Sequence, residues 1–235
     1  MPSTPRTPAK TKQLLRMARR GPMRARDLDD ADIPRAYLAR LVEQGELEHA
    51  GRGLYRLPDA DVTELHSLAE VAKRVPRATI CLLSALQMHA MTTEAPHAVW
   101  IMIDSRARTP KLDTPAIEVV RARGPARDHG VEERKVEGVT LSVTTPAKTV
   151  ADCFRYRRHV GLDVALAALR EYMARTRRPR AGGGRGHGNY GDAVPSGAGF
   201  GDGGPKRVHT IDALVEAARA DHVYSVVRPY LEAMA

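Results

Sequence analysis

Asp104, Glu118 and Arg121 are the residues of this chain whose types come nearest to a reactive set. Two carboxylates flanking predicted strands, with a cation beside them, form the layout that holds a divalent ion in a metal-dependent nuclease. Position 120, two beyond Glu118, is Val120, and no lysine follows at that spacing. Solvated charges at strand edges account for the three better. Ser84 stands in Leu83-Ser84-Ala85-Leu86 without the flanking glycines that expose a nucleophile on a sharp turn, and it is expected to cap or pack a helix. The nine histidines form neither a His-x-x-x-His pair nor a cluster with cysteine. His89, in an apolar segment, is expected to be a core or boundary histidine with its polar atoms satisfied. Asp152 is half surrounded by apolar residues and calls for a buried partner, such as an arginine, because an unpaired buried carboxylate is costly. Cys81 and Cys153 each lie in an apolar stretch and read as buried free thiols in a reducing compartment. The glycine-rich stretch lacks the Lys-Ser/Thr ending of a phosphate loop. The expectation is a protein with no catalytic centre, metal or cofactor.

The chemistry the residues do support is attraction to a polyanion. Residues 1–26 contain eight Lys or Arg and no Asp or Glu, in a chain of net charge +9. The elements around this basic stretch predict a winged helix-turn-helix over residues 1–58. Residues 12–19 place Leu14, Leu15 and Ala18 on one helical face and basic residues on the rest. Arg26-Asp27-Leu28 is a second, short helical stretch. Residues 33–42 form the third, with Asp32 or Ile33 near its N-cap, Pro34 in its first turn and Gly45 ending it. Tyr37, Leu38, Leu41 and Val42 face its core, leaving Arg35, Ala36, Ala39, Arg40 and Glu43 outside, where a recognition helix meets the major groove. Residues 46–49 and 54–57 read as a hairpin with Arg52 at the tip between Gly51 and Gly53. Arg35 and Arg40 are therefore expected to read base edges, and Arg52 to enter a minor groove or meet phosphate. Lys12, Arg16, Arg19, Arg24 and Arg26 are expected to contact phosphates. Asp27, Asp29, Asp30 and Asp32 belong to the turn before the third helix, where negative charge suits its N-terminus. Arg56 serves equally well packed along the wing.

A chain of 235 residues has room for a second core, which must be built from Leu, Val, Ala and Met because aromatics are only 4%. The fold class expected is α+β, the winged helix followed by a mixed α/β domain with terminal helices. That domain covers residues 59–180 and 206–235. It starts with a helix capped by Asp61-Val62-Thr63-Glu64 and stopped by Pro76. A buried helix follows over residues 84–91, then strands over 98–103 and 117–120, and a hairpin over 131–136 and 139–143 turning at Glu137-Gly138. Helices open at Thr145-Pro146, at Asp163 with Val164, Leu166, Ala167 and Leu169 inward, and at Thr210; a last one runs over 223–234. Residues 181–205 hold 11 glycines in 25 positions and cannot bury enough apolar surface to offset their ordering, so they are expected to be a flexible insertion. No stretch has the length of a membrane span and the N-terminus is not a secretory signal, so the expected place is the cytoplasm.

Four stretches carry a family resemblance: Gly51-Arg52-Gly53-Leu54-Tyr55-Arg56, Leu83 through His89, Pro96 through Ile103, and Thr145-Pro146-Ala147-Lys148-Thr149-Val150-Ala151-Asp152. In their order and spacing they resemble the AbiEi-type antitoxins of type IV toxin–antitoxin systems, over roughly residues 10–175, and Arg228-Pro229-Tyr230-Leu231 is similar to the end of such chains. The resemblance implies a winged-helix domain that represses its own operon and a C-terminal domain that counters a nucleotidyltransferase-like toxin. The glycine-rich insertion departs from that pattern. The expected partners are double-stranded DNA of its own promoter, with inverted repeats, a toxin, and a second copy on DNA. A stand-alone winged-helix regulator is the alternative. A DNA-targeted nuclease using Asp104 and Glu118 is the more distant one.

Overall fold

The computed structural model describes residues 9–51, 53–58, 64–93, 95–112, 114–177 and 209–234. They fall into two units, Met1–Arg77 with Lys111–Pro115 and Lys135–Leu141, and Ala78–Pro110 with Ala116–Arg134 and Ser142–Ala235. The architecture is mixed α and β. The expected boundary after residue 58 falls inside the first unit.

In the first unit, α1 (Ala9–Ala18) buries Thr11, Leu14 and Ala18, the spacing of one face of a 3.6-residue helix. A two-residue strand β1 (Met23–Arg24) leads into a 3-10 turn, Ala25–Leu28, whose Leu28 is buried. The third helix, α2 (Ala36–Glu43), buries Leu38 and Leu41 and half-buries Tyr37 and Val42, as the periodicity requires. It starts two residues later than the position of Pro34 suggests. Asp32 takes a left-handed φ of +52°, and the Pro34 carbonyl, just ahead of the helix, accepts the Tyr37 N–H at 3.0 Å. Pro34 thus stands before the first turn instead of in it. Gly45 closes α2 with φ +69°.

Strands β2 (Glu48–Gly51) and β3 (Leu54–Arg56) pair antiparallel with a bulge after His49, and β1 adds on the other edge of β3, giving the order β1-β3-β2. The core is Leu14, Leu28, Ile33, Leu38, Leu41 and Leu47, closed by Met23 and Ala18. Helix α3 (His66–Arg74) belongs to the same unit and buries Leu68, Val71 and Ala72, with Pro76 just beyond its end. The first three residues of its expected cap, 61–63, lie outside the described residues. Gly21 and Gly138 mark a close backbone crossing: a Cβ on Gly138 would sit 1.3 Å from the Arg20 carbonyl oxygen, and Gly138 holds φ +74°.

The second unit is organised by a five-stranded sheet in the order β6-β5-β4-β8-β7. Its strands are β4 (Thr79–Ile80), β5 (Val99–Asp104), β6 (Ile117–Ala122), β7 (Val131–Val136) and β8 (Val139–Thr144). β4 runs antiparallel to β5 and parallel to β8, and β5 runs parallel to β6. Five consecutive residues of β5 are buried, as a strand enclosed on both faces requires. The β7–β8 turn is Glu137-Gly138, both with positive φ, the turn type that matches strand twist; residues 135–141 group with the first unit.

The helices are α4 (Leu82–Met88), a short α5 (Pro125–Asp128), α6 (Pro146–Arg155), a short α7 (Arg157–Val160), α8 (Leu162–Arg177), α9 (Ile211–Ala220) and α10 (Tyr224–Met234). Thr145 caps α6 by accepting the Lys148 N–H, and Thr210 caps α9 by accepting from Ala213 at 3.1 Å. Asp163 lies within the first turn of α8 instead of ahead of it. The inward face of that helix is Ala165, Ala168, Leu169, Tyr172 and Met173, so the expected inward Ala167 is exposed and the phase is one residue later. Phe154, Leu169, Tyr172, Leu214 and Val227 form the centre of the core with Trp100 and Met102 of the sheet. Among the described residues no helix is long and apolar enough to cross a membrane. The glycine-rich stretch 181–205 lies outside the described residues.

Candidate nucleic-acid interface

The basic residues of the first unit divide by what already holds them. Lys12, Arg16, Arg19, Arg26 and Arg40 are exposed and make no ion pair with a described residue. Arg16 follows Lys12 by one helical turn on α1, so the two ammonium and guanidinium groups share a face. Arg40 lies on the outer face of α2 with Ala36, Ala39 and Glu43, all exposed. The two alanines leave the backbone of that face open to close approach.

Arg35 is different. Its Nε donates to Asp29 Oδ1 at 3.1 Å and its Nη2 to Asp29 Oδ2 at 2.5 Å, a fork on one carboxylate. That bond holds the Asp29 carboxyl below, and the Arg35 guanidinium above, its ordinary value. The pair is well exposed, so an incoming phosphate can replace Asp29 at little cost. Arg24, on β1, is half-buried. Burial, then the neighbouring Arg26, lowers its guanidinium from the ordinary value, against the pull of Asp27. Arg52 lies outside the described residues.

The acidic run before α2 is largely spoken for. Asp27 takes Lys73 at 2.6 Å, Asp29 takes Arg35, and Asp32 takes Lys10 at 3.3 Å, while Asp30 stays exposed. The exposed charges left without an ion pair among the described residues there include Lys12, Arg16, Arg19, Arg26 and Arg40 against Asp30, Glu43 and Glu46. Arg56 packs along the hairpin: its Nε donates to Glu48 Oε1 at 2.5 Å, and its Nη1 lies 3.1 Å from His66 Nε2. His66 Nδ1 in turn lies 2.6 Å from Glu137 Oε2. For Arg56 to donate, Nε2 must be the acceptor, which puts the imidazole proton on Nδ1 facing Glu137. The chain from Glu48 to Glu137 needs residues 71 apart in sequence, and no local pattern announces it.

The residues that suggested catalysis do not come together. In the β5–β6 register Asp104 lies opposite Ala122 and Glu118 opposite Trp100, four positions apart. At ~3.3 Å per residue their Cα atoms are separated by roughly 13 Å along the strands, too far to share one ion. Arg121 is a structural clasp: Nη1 donates to the carbonyls of Asp104, Ser105 and Ala107 at 3.3, 3.2 and 2.7 Å, and Nη2 to Thr109 Oγ1 at 2.8 Å. It braces the loop after β5 while staying exposed at the strand edge, as the sequence suggested. Ser84 Oγ accepts the Trp100 N–H at 2.9 Å, and His89 Nε2 lies 2.7 Å from the Thr144 carbonyl. Among the described residues no three His, Cys, Asp or Glu are grouped to hold a metal ion.

Asp152 has its buried partner, but it is Lys148 and not an arginine. Lys148 Nζ bonds Asp152 one turn along α6 and reaches Asp221 Oδ1 at 2.8 Å, with all three side chains fully buried. Burial, partly offset by Lys148 and reinforced by Asp221, pushes the Asp152 carboxyl well up. Lys148 is also raised, because its two carboxyl partners outweigh burial. Burial, then Asp152, raises the free thiols Cys81 and Cys153 as well, which leaves them poor nucleophiles.

Comparison with known families places one of these regions. Residues 12–58 match the family described as transcriptional regulators, AbiEi antitoxins. This segment is AbiEi-like. The match takes in most of α1, all of α2 and the β2–β3 hairpin, and with them every basic residue discussed as a DNA contact. The AbiEi match stops before α3, so the second unit stands outside it. Among solved structures, the RV2827C protein from Mycobacterium tuberculosis is similar at 15% identity over 74% of this chain and 73% of its own, with a TM-score of 0.47. No curated protein matches the chain.

Proposed function

We propose that this protein is a DNA-binding transcriptional repressor whose first unit works as a winged helix. Three helical segments, α1, the 3-10 turn and α2, followed by a hairpin with a third short strand, make up the parts such a module needs. The observation that carries the reading is the outer face of α2 together with α1. Arg40 stands exposed on the face that carries Ala36 and Ala39, and Lys12, Arg16, Arg19 and Arg26 are exposed in the same unit, all without an ion pair among the described residues and all in the segment that matches a regulator family.

Arg40 reads base edges in the major groove, and Arg52, assigned from the sequence between Gly51 and Gly53, contacts the backbone or minor groove. Lys12, Arg16, Arg19, Arg24 and Arg26 neutralise phosphates and fix the register. Arg35 exchanges Asp29 for a phosphate or a base edge on binding. Repression is occlusion of the promoter, without catalysis. One such module reads a short site, so two copies occupy an inverted repeat. The family match favours an antitoxin role beside this one, in which the second unit counters a nucleotidyltransferase-like toxin. The test is a gel shift with DNA from upstream of the gene, together with co-expression of the neighbouring gene. Selective retardation supports the repressor, and rescue of growth from a toxic neighbour supports the antitoxin. Equal retardation of scrambled DNA would remove the repressor reading, and a harmless neighbour would remove the antitoxin one.

A further inference from the structure

Beside the hairpin, the first unit has a cleft of about 330 Å³ lined by Arg24, Gly53, Leu54, Arg74, Lys111 and Leu112. Three of those six residues are cations, and they come from three separate parts of the chain. Arg24 arrives on β1, Arg74 on the last turn of α3, and Lys111 from residues 111–115, which group with this unit. Neither Arg74 nor Lys111 falls within the AbiEi-like segment.

Among the described residues the cleft holds more positive than negative charge. Arg24 Nη2 is buried with no hydrogen-bond partner among the described residues, an arrangement that costs free energy until an acceptor is supplied. Arg24 and Arg74 repel one another. Among the described residues, the carboxylate bonded to a cation side chain of the cleft is Glu70, its Oε1 3.1 Å from Arg74 Nη1, and that same nitrogen also donates to the Thr114 carbonyl. Lys111 is exposed and makes no ion pair with a described residue. Asp27 takes the Arg24 backbone N–H at 2.8 Å and pairs with Lys73, so its carboxylate is already engaged. Among the described residues three cations thus line the cleft, with Glu70 on Arg74 and Asp27 near Arg24 as the acidic groups acting on them, and one guanidinium nitrogen has no partner. At Gly53 a Cβ would meet nothing within 4 Å, so the wall beside the strand leaves room for a group to enter.

We infer that this cleft is a phosphate-binding site, in which Arg24, Arg74 and Lys111 hold one phosphate group. A phosphate offers several acceptor oxygens, which suits two guanidinium groups and an ammonium converging from different directions. The group is either a DNA backbone phosphate beside the hairpin or the phosphate of a small free ligand. The DNA source rests on the DNA-binding reading above; the free source does not.

The experiment uses the full chain and three variants, Lys111→Ala, Lys111→Glu and Arg24→Gln, with circular dichroism confirming that each is folded. Lys111 is exposed, so its two variants report on the site even where Arg24→Gln perturbs β1. One arm titrates inorganic pyrophosphate by calorimetry. The other measures DNA affinity across a salt series. For a backbone phosphate, the Lys111 variants weaken binding to any duplex by about tenfold and lower the slope of log K against log salt by about one. For a free ligand, pyrophosphate binds one per chain to the unaltered protein, and Lys111→Glu abolishes it while DNA binding holds; Arg24→Gln also abolishes it, whatever its effect on DNA. Either result supports the site. Unchanged DNA affinity in all three variants, with no pyrophosphate binding to the unaltered protein, overturns it. If the unaltered protein binds no DNA at all, the repressor reading falls, and the pyrophosphate arm alone decides the site.

Discussion

Replacing Lys148 with methionine keeps most of the apolar stem, one heavy atom shorter, and removes the ammonium with its charge and its two hydrogen bonds. In the fold its ammonium bonds Asp152 on the same helix and Asp221, just past the end of α9, and none of the three side chains is exposed. The second oxygen of each carboxyl, Asp152 Oδ2 and Asp221 Oδ2, already lacks a partner. Without Lys148, two carboxyl groups share an apolar interior with no cation, and both must be held protonated or left as buried charge. Breaking a buried pair by removing one partner costs about 3–5 kcal/mol, a large fraction of the ~5–15 kcal/mol that stabilises a whole domain. With a urea m-value of about 2 kcal/mol/M, the unfolding midpoint should fall by roughly 2 M. The assay is intrinsic fluorescence. Trp100 is the chain's one tryptophan and sits in the core of the second unit, so the signal reports that unit's unfolding. Adding Asp152→Asn and Asp221→Asn to Lys148→Met should recover much of the loss, because the charges are then removed together. A Lys148→Met midpoint within ~0.5 M of the unaltered protein would show that the cluster contributes no net electrostatic stability.

Further outcomes follow from the same geometry. The raised Asp152 carboxyl keeps a proton that the unfolded chain releases above the ordinary carboxylate range. The folded state therefore binds more protons there, and this contribution to stability is full below that range and lost as pH rises toward the raised value. The unaltered protein should lose stability relative to Asp152→Asn across that window with the slope of about one proton, and parallel pH curves would refute the assignment. Lys12→Ala and Arg16→Ala should each weaken binding to every DNA sequence and lower the salt slope by about one unit; a change in sequence preference would move those residues from phosphate to base. Gly138→Ala meets the Arg20 carbonyl and an unfavourable φ together, and should destabilise the first unit by more than 1 kcal/mol in thermal melts. Thr145→Ala removes the α6 cap and should cost about 1 kcal/mol, while Thr145→Ser should cost little.

Periodicity was legible where an element buries one face. Leu14 and Ala18, and Leu38 and Leu41, sit at the spacing that makes a helix half core, and the structure buries all four. Glu137-Gly138 announced its hairpin because a tight two-residue turn demands positive φ. What escaped the sequence depends on distant residues. Strand β1 is two residues long and exists through pairing with β3. The Lys148–Asp152 spacing of one helical turn was visible within an apolar helix, but Asp221 lies 73 residues away. The capture of Arg35 by Asp29 and the convergence of Arg74 and Lys111 on Arg24 are likewise set by tertiary placement. The α8 face differs by one residue from the phase the sequence suggests because Val164, Leu166, Ala167 and Leu169 offer apolar side chains on nearly every side.

The most direct test of the central claim is the ratio of affinities for upstream DNA and scrambled DNA, measured by fluorescence anisotropy for the unaltered protein and for Arg40→Ala. With α2 reading base edges, the unaltered protein should prefer its own upstream sequence by at least about 10³-fold. Arg40→Ala should lose about 1–3 kcal/mol of that discrimination while keeping its non-specific affinity within a fewfold. Equal affinity for the two DNAs, or an Arg40→Ala variant with its preference intact, would contradict the account.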